Sequence, residues 1–383
     1  MVNDVANAGL PTVSAGYLLA LRLIDVADSI DLAQAETLWS DYAARQPVGG
    51  AQRRRLSATP PKAVAFGVPP LSIPLESVIL TLGEAQVEAA MTARLYDFGA
   101  ITLEMKVLAN GLTWPEFANR MNAVDVAVGP EAISTALWDT SLKHITSVLG
   151  AALVRPSKAE LNEDYLIAAV NSLDGQPTSE ELMQRVDLAA LLSGERRQLS
   201  QTARAELLRH RFSYYEDDLV VLTWDRAFIY EPRGDSDVAD VIEVANAQLM
   251  EMRYYDELLD AELPRMYDHV AAARSGLNLL RSRRYAGLAR RLYGLVAEVT
   301  ELTERVDNAL QVTEDVYLAR VYASALDQFR VASVTAAVNR KLAIIRETYT
   351  ALYEEAAGAR AEWLEIAIVA LIVVEVVMAL LGH

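Results

Sequence analysis

Apolar and polar positions change their period near residue 232. Before it, short apolar runs rich in β-branched residues alternate with helical patterns, which is typical of a mixed α/β domain. The last strand-like run is predicted to be a hairpin that turns at Trp224 and Asp225. The runs that predict strands are 12–20, 71–80, 87–95, 100–107, 165–170 and 219–230.

Two helix starts in this first part carry capping signals. Residues 113–116 place a proline inside the first turn of one helix. Thr178 and Glu181 form a capping box, which predicts a second helix that continues through Leu192.

From Ser236 onward the chain has the period of long helices. Apolar residues recur along three stripes, and in the second and third the spacing alternates between three and four, as in a coiled-coil seam. We predict an antiparallel bundle with breaks near Gly276, Gly287 and 308–315; a compact bundle without a partner-binding role fits the same periodicity. The stripes are Val238, Val241, Ala245, Leu249, Met252, Leu259 and Leu263; Leu288, Leu292, Leu295, Val299, Leu302 and Val306; and Val338, Leu342, Ile345, Tyr349 and Leu352.

The last residues of the chain are apolar on all sides, which disfavours a helix buried in a soluble domain and predicts a membrane anchor. As a helix, 363–381 spans about 28 Å, close to the ~30 Å hydrocarbon core. Insertion of Glu375 into the bilayer costs about 2.5–3.5 kcal/mol, and each apolar residue favours insertion by roughly 0.3–0.6 kcal/mol. We expect Glu375 to have a partner, most simply in a second copy of the chain. The predicted anchor residues are Trp363, Ile366, Ile368, Leu371, Ile372, Glu375, Met378 and Leu381.

The predicted fold class is therefore α+β, with three parts. A mixed α/β domain covers 1–232, a long-helix, coiled-coil-like bundle covers 233–360, and one C-terminal transmembrane helix covers 361–383. Because only two residues follow the predicted span, we expect a single-pass protein with the bulk of the chain cytoplasmic and the lipid bilayer as a partner. The sequence shows no Arg-rich, Ser-rich transit peptide and is acidic, so we expect the membrane to be a bacterial inner membrane.

Composition excludes several kinds of chemistry. The chain has no cysteine and four histidines, which removes disulfides, cysteine-based zinc sites and a cysteine nucleophile. Its formal charge of −17 disfavours sequence-specific nucleic acid binding, which needs a basic face.

No motif in the sequence argues for an enzyme, a cofactor or a metal site. Tyr96, Asp97, Phe98 and Gly99 contain the magnesium tripeptide of protein kinases, but the other kinase motifs are absent. The same residues fit a tight hairpin with Gly99 at a positive φ. Phosphate-binding loops and the ligand pattern of a di-iron bundle are also missing.

Several blocks of the chain resemble the "required for meiotic nuclear division" proteins and their YagE-like bacterial relatives, a family defined by a domain of unknown function. The blocks occur in the expected order from about residue 90 to the C-terminal tail. The family-like residues are Tyr96, Asp97, Phe98, Gly99, Glu231, Pro232, Gly234, Asp235 and Asn246.

The resemblance implies an α/β part, a long helical part and a membrane anchor, in a homo-oligomer linked to translation. We therefore expect a non-enzymatic scaffold or tether that self-associates, with a ribosome or another protein as a possible partner. The alternative is a subunit of a transport or channel assembly like CorA, although the second span and the Gly-Met-Asn loop are lacking. An enzyme with an unrecognised site is the third hypothesis.

Overall fold

A computed structural model describes residues 10–45, 64–65, 69–132, 135–157, 161–195, 197–234, 237–274, 285–297, 299–300, 311–312 and 315–381. These residues form two compact units. The first takes its members from 1–251 and 306–332, and the second from 252–305 and 333–383. The fold is mixed α/β, with a large sheet and helices.

Ten strands of the first unit form one sheet in the order β11-β12-β13-β10-β1-β7-β6-β4, with β5 paired to β6 and β8 paired to β1. The strands are β1 Thr12–Asp25, β2 Ala27–Ile30, β3 Val64–Ala65, β4 Leu71–Pro74, β5 Val78–Leu82, β6 Ala85–Leu95, β7 Ala100–Leu108, β8 Leu112–Thr113, β9 Leu153–Pro156, β10 Asn162–Leu173, β11 Arg211–Phe212, β12 Leu219–Leu222, β13 Arg226–Tyr230 and β14 Gln311–Val312.

The helices fall into two classes of length: two have 37 and 51 residues, and the described part of each of the others has 15 residues or fewer. They are α1 Leu32–Arg45, α2 Trp114–Val128, α3 Ala136–Leu149, α4 Ser179–Arg185, α5 Leu188–Ser193, α6 Gln201–Leu207, α7 Val238–Arg274, α8 285–297, α9 Val316–Gln328 and α10 Val331–Leu381.

Strand β1 is central because it is apolar on both faces. It pairs antiparallel with β10 on one side and with β7 on the other. Leu18 and Ala20 belong to the core cluster that includes Phe117 of α2. Since side chains alternate along a strand, Leu19 and Leu21 point to the opposite sheet face, where Leu21 is the cross-strand neighbour of Glu104.

Local turn and capping signals are confirmed. Gly99 has a φ of +97°, and a Cβ there would lie 1.7 Å from the carbonyl oxygen of Ala27. The predicted hairpin over 219–230 is β12 and β13, closed by a hydrogen bond from Thr223 N to Arg226 O of 2.8 Å. Both predicted helix starts carry capping boxes.

The helix predicted to run from 178 through Leu192 is instead two helices. α4 ends at Arg185, and α5 begins at Leu188. Asp187 causes the interruption, because its carboxylate accepts a hydrogen bond from Ala190 N at 2.9 Å and so caps a new helix.

The predicted transmembrane helix and tail anchor are wrong. Within the described ranges, no helix is both long enough and apolar enough to cross a membrane. Residues 363–381 belong instead to the end of the 51-residue α10. Glu375 divides this end into apolar runs of nine and six residues, 366–374 and 376–381, each far short of the ~20 residues that a span needs.

The coiled-coil stripes lie against other parts of the chain. In the second unit, Val299, Ile345 and Leu352 are buried. Leu302 and Val306 of the second stripe fall outside the described residues, as does the predicted break at Gly276. Gly287 lies inside α8 rather than at a break.

Candidate functional site

A buried charge network joins the sheet to α7 in the first unit. Arg94 of β6 is the only basic member described there, and its Nη1 lies 2.6 Å from Asp240 and 2.9 Å from Glu243. Its Nη2 lies 3.1 Å from Glu104 of β7. The hydroxyl of Tyr96 donates a hydrogen bond of 2.6 Å to Glu243. Three carboxylates therefore share one guanidinium.

Burial changes the protonation of this network. It raises the pKa of Glu104 to about 7, although the attraction of Arg94 opposes the shift. Burial also raises the pKa of Glu243. The Oε1 atom of Glu104 is 3.1 Å from Arg94 but makes no hydrogen bond of acceptable geometry within the described chain. The network therefore has too few hydrogen-bond donors for its carboxylate oxygens, and protonation of a carboxylate reduces the repulsion between them.

A pocket of about 450 Å³ opens on the same sheet face, next to the start of α7. Its polar lining comes from Tyr17 of β1, Lys106 of β7, Asn110 just after β7, Asn171 of β10, and Glu231 and Arg233 in the turn after β13. The apolar lining includes Leu108, Ala169, Val170, Ile229, Pro232 and Ala239. This volume suits a small organic ligand.

Two cations of the pocket rest on aromatic rings. The Lys106 Nζ atom lies 3.8 Å from the centre of the Tyr17 ring, and the Arg233 guanidinium carbon lies 4.2 Å from the centre of the Tyr215 ring. Neither side chain forms an ion pair with a carboxylate in the part of the chain that the structure describes. Burial lowers the pKa of Lys106, although Glu104 opposes the shift.

The pocket floor needs a glycine. A Cβ at Gly16 would lie 2.8 Å from the carbonyl oxygen of Ala169, which is backbone and cannot move aside cheaply. The Gly16 N–H donates a hydrogen bond of 3.0 Å to Asn110 Oδ1, which holds this side chain at the pocket wall. The site is thus built into the central strands.

A family model described as "Uncharacterized protein MJ0711, N-terminal domain" matches residues 15–237. The chain belongs to this family. Uncharacterized protein MJ0711 of Methanocaldococcus jannaschii is 26% identical over 194 residues, which cover 50% of this chain and 58% of that protein. No solved structure matches the chain. The resemblance to the YagE-like family stays a prediction.

Both ends of the family domain meet at the pocket. Its first residues, Ala15, Gly16 and Tyr17, line one side, and the turn 231–234 lines the other. The pocket is therefore a feature of the family domain as a whole, because it exists only when the first and last parts of that domain are assembled.

The structure separates the family-like residues into two groups. Tyr96, Asp97, Phe98 and Gly99 form the turn between β6 and β7, with Tyr96 in the charge network. Glu231, Pro232 and Gly234 line the pocket, while Asp235 lies outside the described residues. Asn246 of α7 is buried, and its Nδ2 has no hydrogen-bond partner among the described residues.

The residues predicted as an anchor share an exposed position at the end of α10. Their large side chains are half exposed or more, and Glu375 is exposed with them. The side chain of Trp363 lies outside the described set. The exposed members are Ile366, Ile368, Leu371, Ile372, Met378 and Leu381.

Sequence reasoning missed Arg94, Lys106 and Tyr17. One signal was present in β7, where charged Glu104 and Lys106 interrupt an apolar strand at a spacing of two and so share one face. Among the described residues, no group of three or more His, Cys, Asp or Glu is placed to hold a metal ion.

Proposed function

We propose that this protein is a non-catalytic scaffold that self-associates through the C-terminal end of α10 and so holds copies of its family domain together. The observation that carries the proposal is the exposed apolar surface of 366–381. The occupant of that surface is a second copy of the chain.

The exposed surface is too large for an ordinary monomer. Twelve large apolar side chains between Ile366 and Leu381 are exposed by 45% to 81%. They present on the order of 1,000 Å² per chain, whereas the largest apolar patch of a monomer is about 300–600 Å². A standard interface buries about 800 Å² per partner, so the side of the helix end that faces a partner supplies a substantial share of one interface.

The seam of α10 continues into this exposed end without a change of register. From Leu352 the spacing of four and three runs on to Leu380, and every position holds an apolar residue. Between Val338 and Leu352 the seam is buried or half-buried, but its later members Val373 and Val377 are exposed. The continuing positions are Ala356, Ala359, Trp363, Ile366, Ala370, Val373, Val377 and Leu380.

A seam that is buried at one end and exposed at the other supports a helical partner for the exposed end. In this register Glu375 lies two residues from Val373 and two from Val377, which places it on the opposite side of the helix. The carboxylate therefore stays in water when helices pair along the seam. A second copy supplies the same apolar seam, so the surface is complementary to itself.

Sedimentation velocity of the full chain over a concentration series tests the proposal. We expect assemblies of two or more copies. Val373→Glu places a charge in the seam and should raise the concentration at half-assembly at least tenfold. The matched control is Ile368→Glu, which adds the same charge on the outer side of the helix and should leave assembly nearly unchanged.

Three results contradict the proposal. A chain that stays monomeric at every concentration has no such interface. Equal effects of the two glutamate variants would show that the seam is not the interface between copies. If the chain is monomeric and co-sediments with lipid vesicles, the exposed surface binds lipid and not a second copy.

A further inference from the structure

We infer that the pocket beside α7 binds a small phosphorylated molecule, with its phosphate on Lys106 and Arg233 and its organic part on the apolar wall. The inference is independent of self-association, because every residue that it uses lies in the first unit.

The two cations are the first reason. The chain carries 52 carboxylate residues against 35 basic ones, so two neighbouring cations that form no ion pair among the described residues are unusual for it. Lys106 and Arg233 are held by aromatic faces instead, within the described residues. An aromatic face orients a cation without using its N–H groups, which therefore stay available to a ligand.

The number of charges favours phosphate over carboxylate. Two cations balance a dianion, and a phosphate monoester carries about −1.5 to −2 near pH 7. The guanidinium of Arg233 suits two oxygens of one phosphate, whereas the ammonium of Lys106 acts as a point charge. A benzoate-like carboxylate offers one charge and two oxygens.

The acidic neighbours do not cancel this preference. Glu231 is the only carboxylate among the described lining residues, which leaves a net charge of +1 on the wall. The charge network beyond it holds Arg94 and takes up protons readily, since burial raises the pKa of both Glu104 and Glu243.

The pocket is larger than its anion site. About 450 Å³ exceeds the volume of one phosphate group, and the remaining wall carries Leu108 and Ile229. Leu108 is 58% exposed at the end of β7, so its side chain is accessible to the organic part of a ligand. The ligand therefore has an apolar or aromatic part attached to its phosphate.

Isothermal titration calorimetry of the full chain at constant ionic strength tests the inference with three probes. We expect saturable binding of phenyl phosphate, weaker binding of inorganic phosphate, and at least tenfold weaker binding of benzoate. Lys106→Met should weaken phenyl phosphate binding at least tenfold, and Lys106→Arg should retain most of it.

The matched control is Lys143→Met, which removes the same charge from an exposed position on α3 and should leave the affinity unchanged. Absence of saturable binding by phenyl phosphate overturns the inference. Equal losses of affinity in Lys106→Met and Lys143→Met would show that the effect comes from the net charge of the protein, and they would overturn a site at Lys106. Binding of benzoate as tight as phenyl phosphate overturns the assignment to phosphate. Circular dichroism of each variant separates loss of binding from loss of fold.

Discussion

Two groups of charged residues share one face of the sheet and differ in what holds their cations. Arg94 is surrounded by three carboxylates and a tyrosine, and nearly all of its surface is buried. Lys106 lies two residues beyond Glu104 on the same strand, yet it rests on an aromatic ring and keeps part of its side chain exposed.

The difference separates a structural cation from a binding cation. Arg94 has its donors committed to atoms of the chain, so removing it leaves buried charges without a partner. Lys106 and Arg233 keep N–H groups that nothing in the described chain uses as ion-pair donors. A cation of the first kind affects stability, and one of the second kind affects affinity.

Arg94→Met gives the largest expected effect on this comparison. It leaves Glu104, Asp240 and Glu243 without a cation, and we expect a loss of about 3–5 kcal/mol in the free energy of unfolding. Urea unfolding followed by tryptophan fluorescence measures it, because four of the five tryptophans lie within residues 1–232.

The matched control for Arg94→Met is Arg204→Met. Arg204 pairs with Asp187 at 2.7 Å, but both side chains are about a third exposed or more. Such a pair contributes about 0–1 kcal/mol. Similar losses in the two variants would show that Arg94 is no more structural than a surface residue.

The second effect is a loss of stability as the pH rises from about 4.5 to about 7. Because burial raises the pKa of Glu104 from 4.5 to about 7, the folded state binds this proton more tightly than the unfolded state does. Its contribution is complete below pH 4.5 and is lost as the pH passes 7. We expect a loss of about 2–3 kcal/mol across this window, with the same sign from Asp25, whose pKa burial raises to about 6.

Urea unfolding at a series of pH values checks this dependence. Glu104→Gln keeps the shape of the side chain without its charge and should flatten the profile. Glu88→Gln, at an exposed position of β6, should keep the profile of the natural chain. A Glu104→Gln profile as steep as that of the natural chain would contradict the assignment.

The smallest expected effect is that of Lys106→Met on stability. Because Lys106 has no ion-pair partner in the described chain and only its contact with the Tyr17 ring is lost, its replacement should change the free energy of unfolding by less than about 1 kcal/mol. The same urea experiment measures it beside Arg94→Met. A loss above about 2 kcal/mol would place Lys106 in the structural group and remove the contrast between the two cations.

Signals within a few residues of each other predicted local structure well. The turn at Gly99 and the capping box at Thr178 follow from steric freedom and from short-range hydrogen bonds, which the sequence displays directly. The interruption at Asp187 was missed because the apolar pattern around it continues unchanged, although aspartate is a good helix cap.

Contacts between distant residues account for what the sequence did not predict. Arg94 and Asp240 are 146 positions apart, and no pattern in the sequence around either residue predicts that the two are in contact. The pocket likewise joins Tyr17 to the turn at 231–234. The predicted transmembrane helix failed for another reason, since summing apolar residues over 363–381 gave too little weight to the interruption at Glu375.

The central position of β1 has a consequence for synthesis. This apolar strand ends at Asp25, but its partner β10 begins at Asn162, so the ribosome adds roughly 140 residues between them. At about 5–20 residues per second, one edge of β1 stays open for roughly 7 to 30 s in each new chain. During that interval the open edge can pair with another nascent chain. Sequence changes that slow the arrival of β10 therefore act on yield before they act on the finished fold.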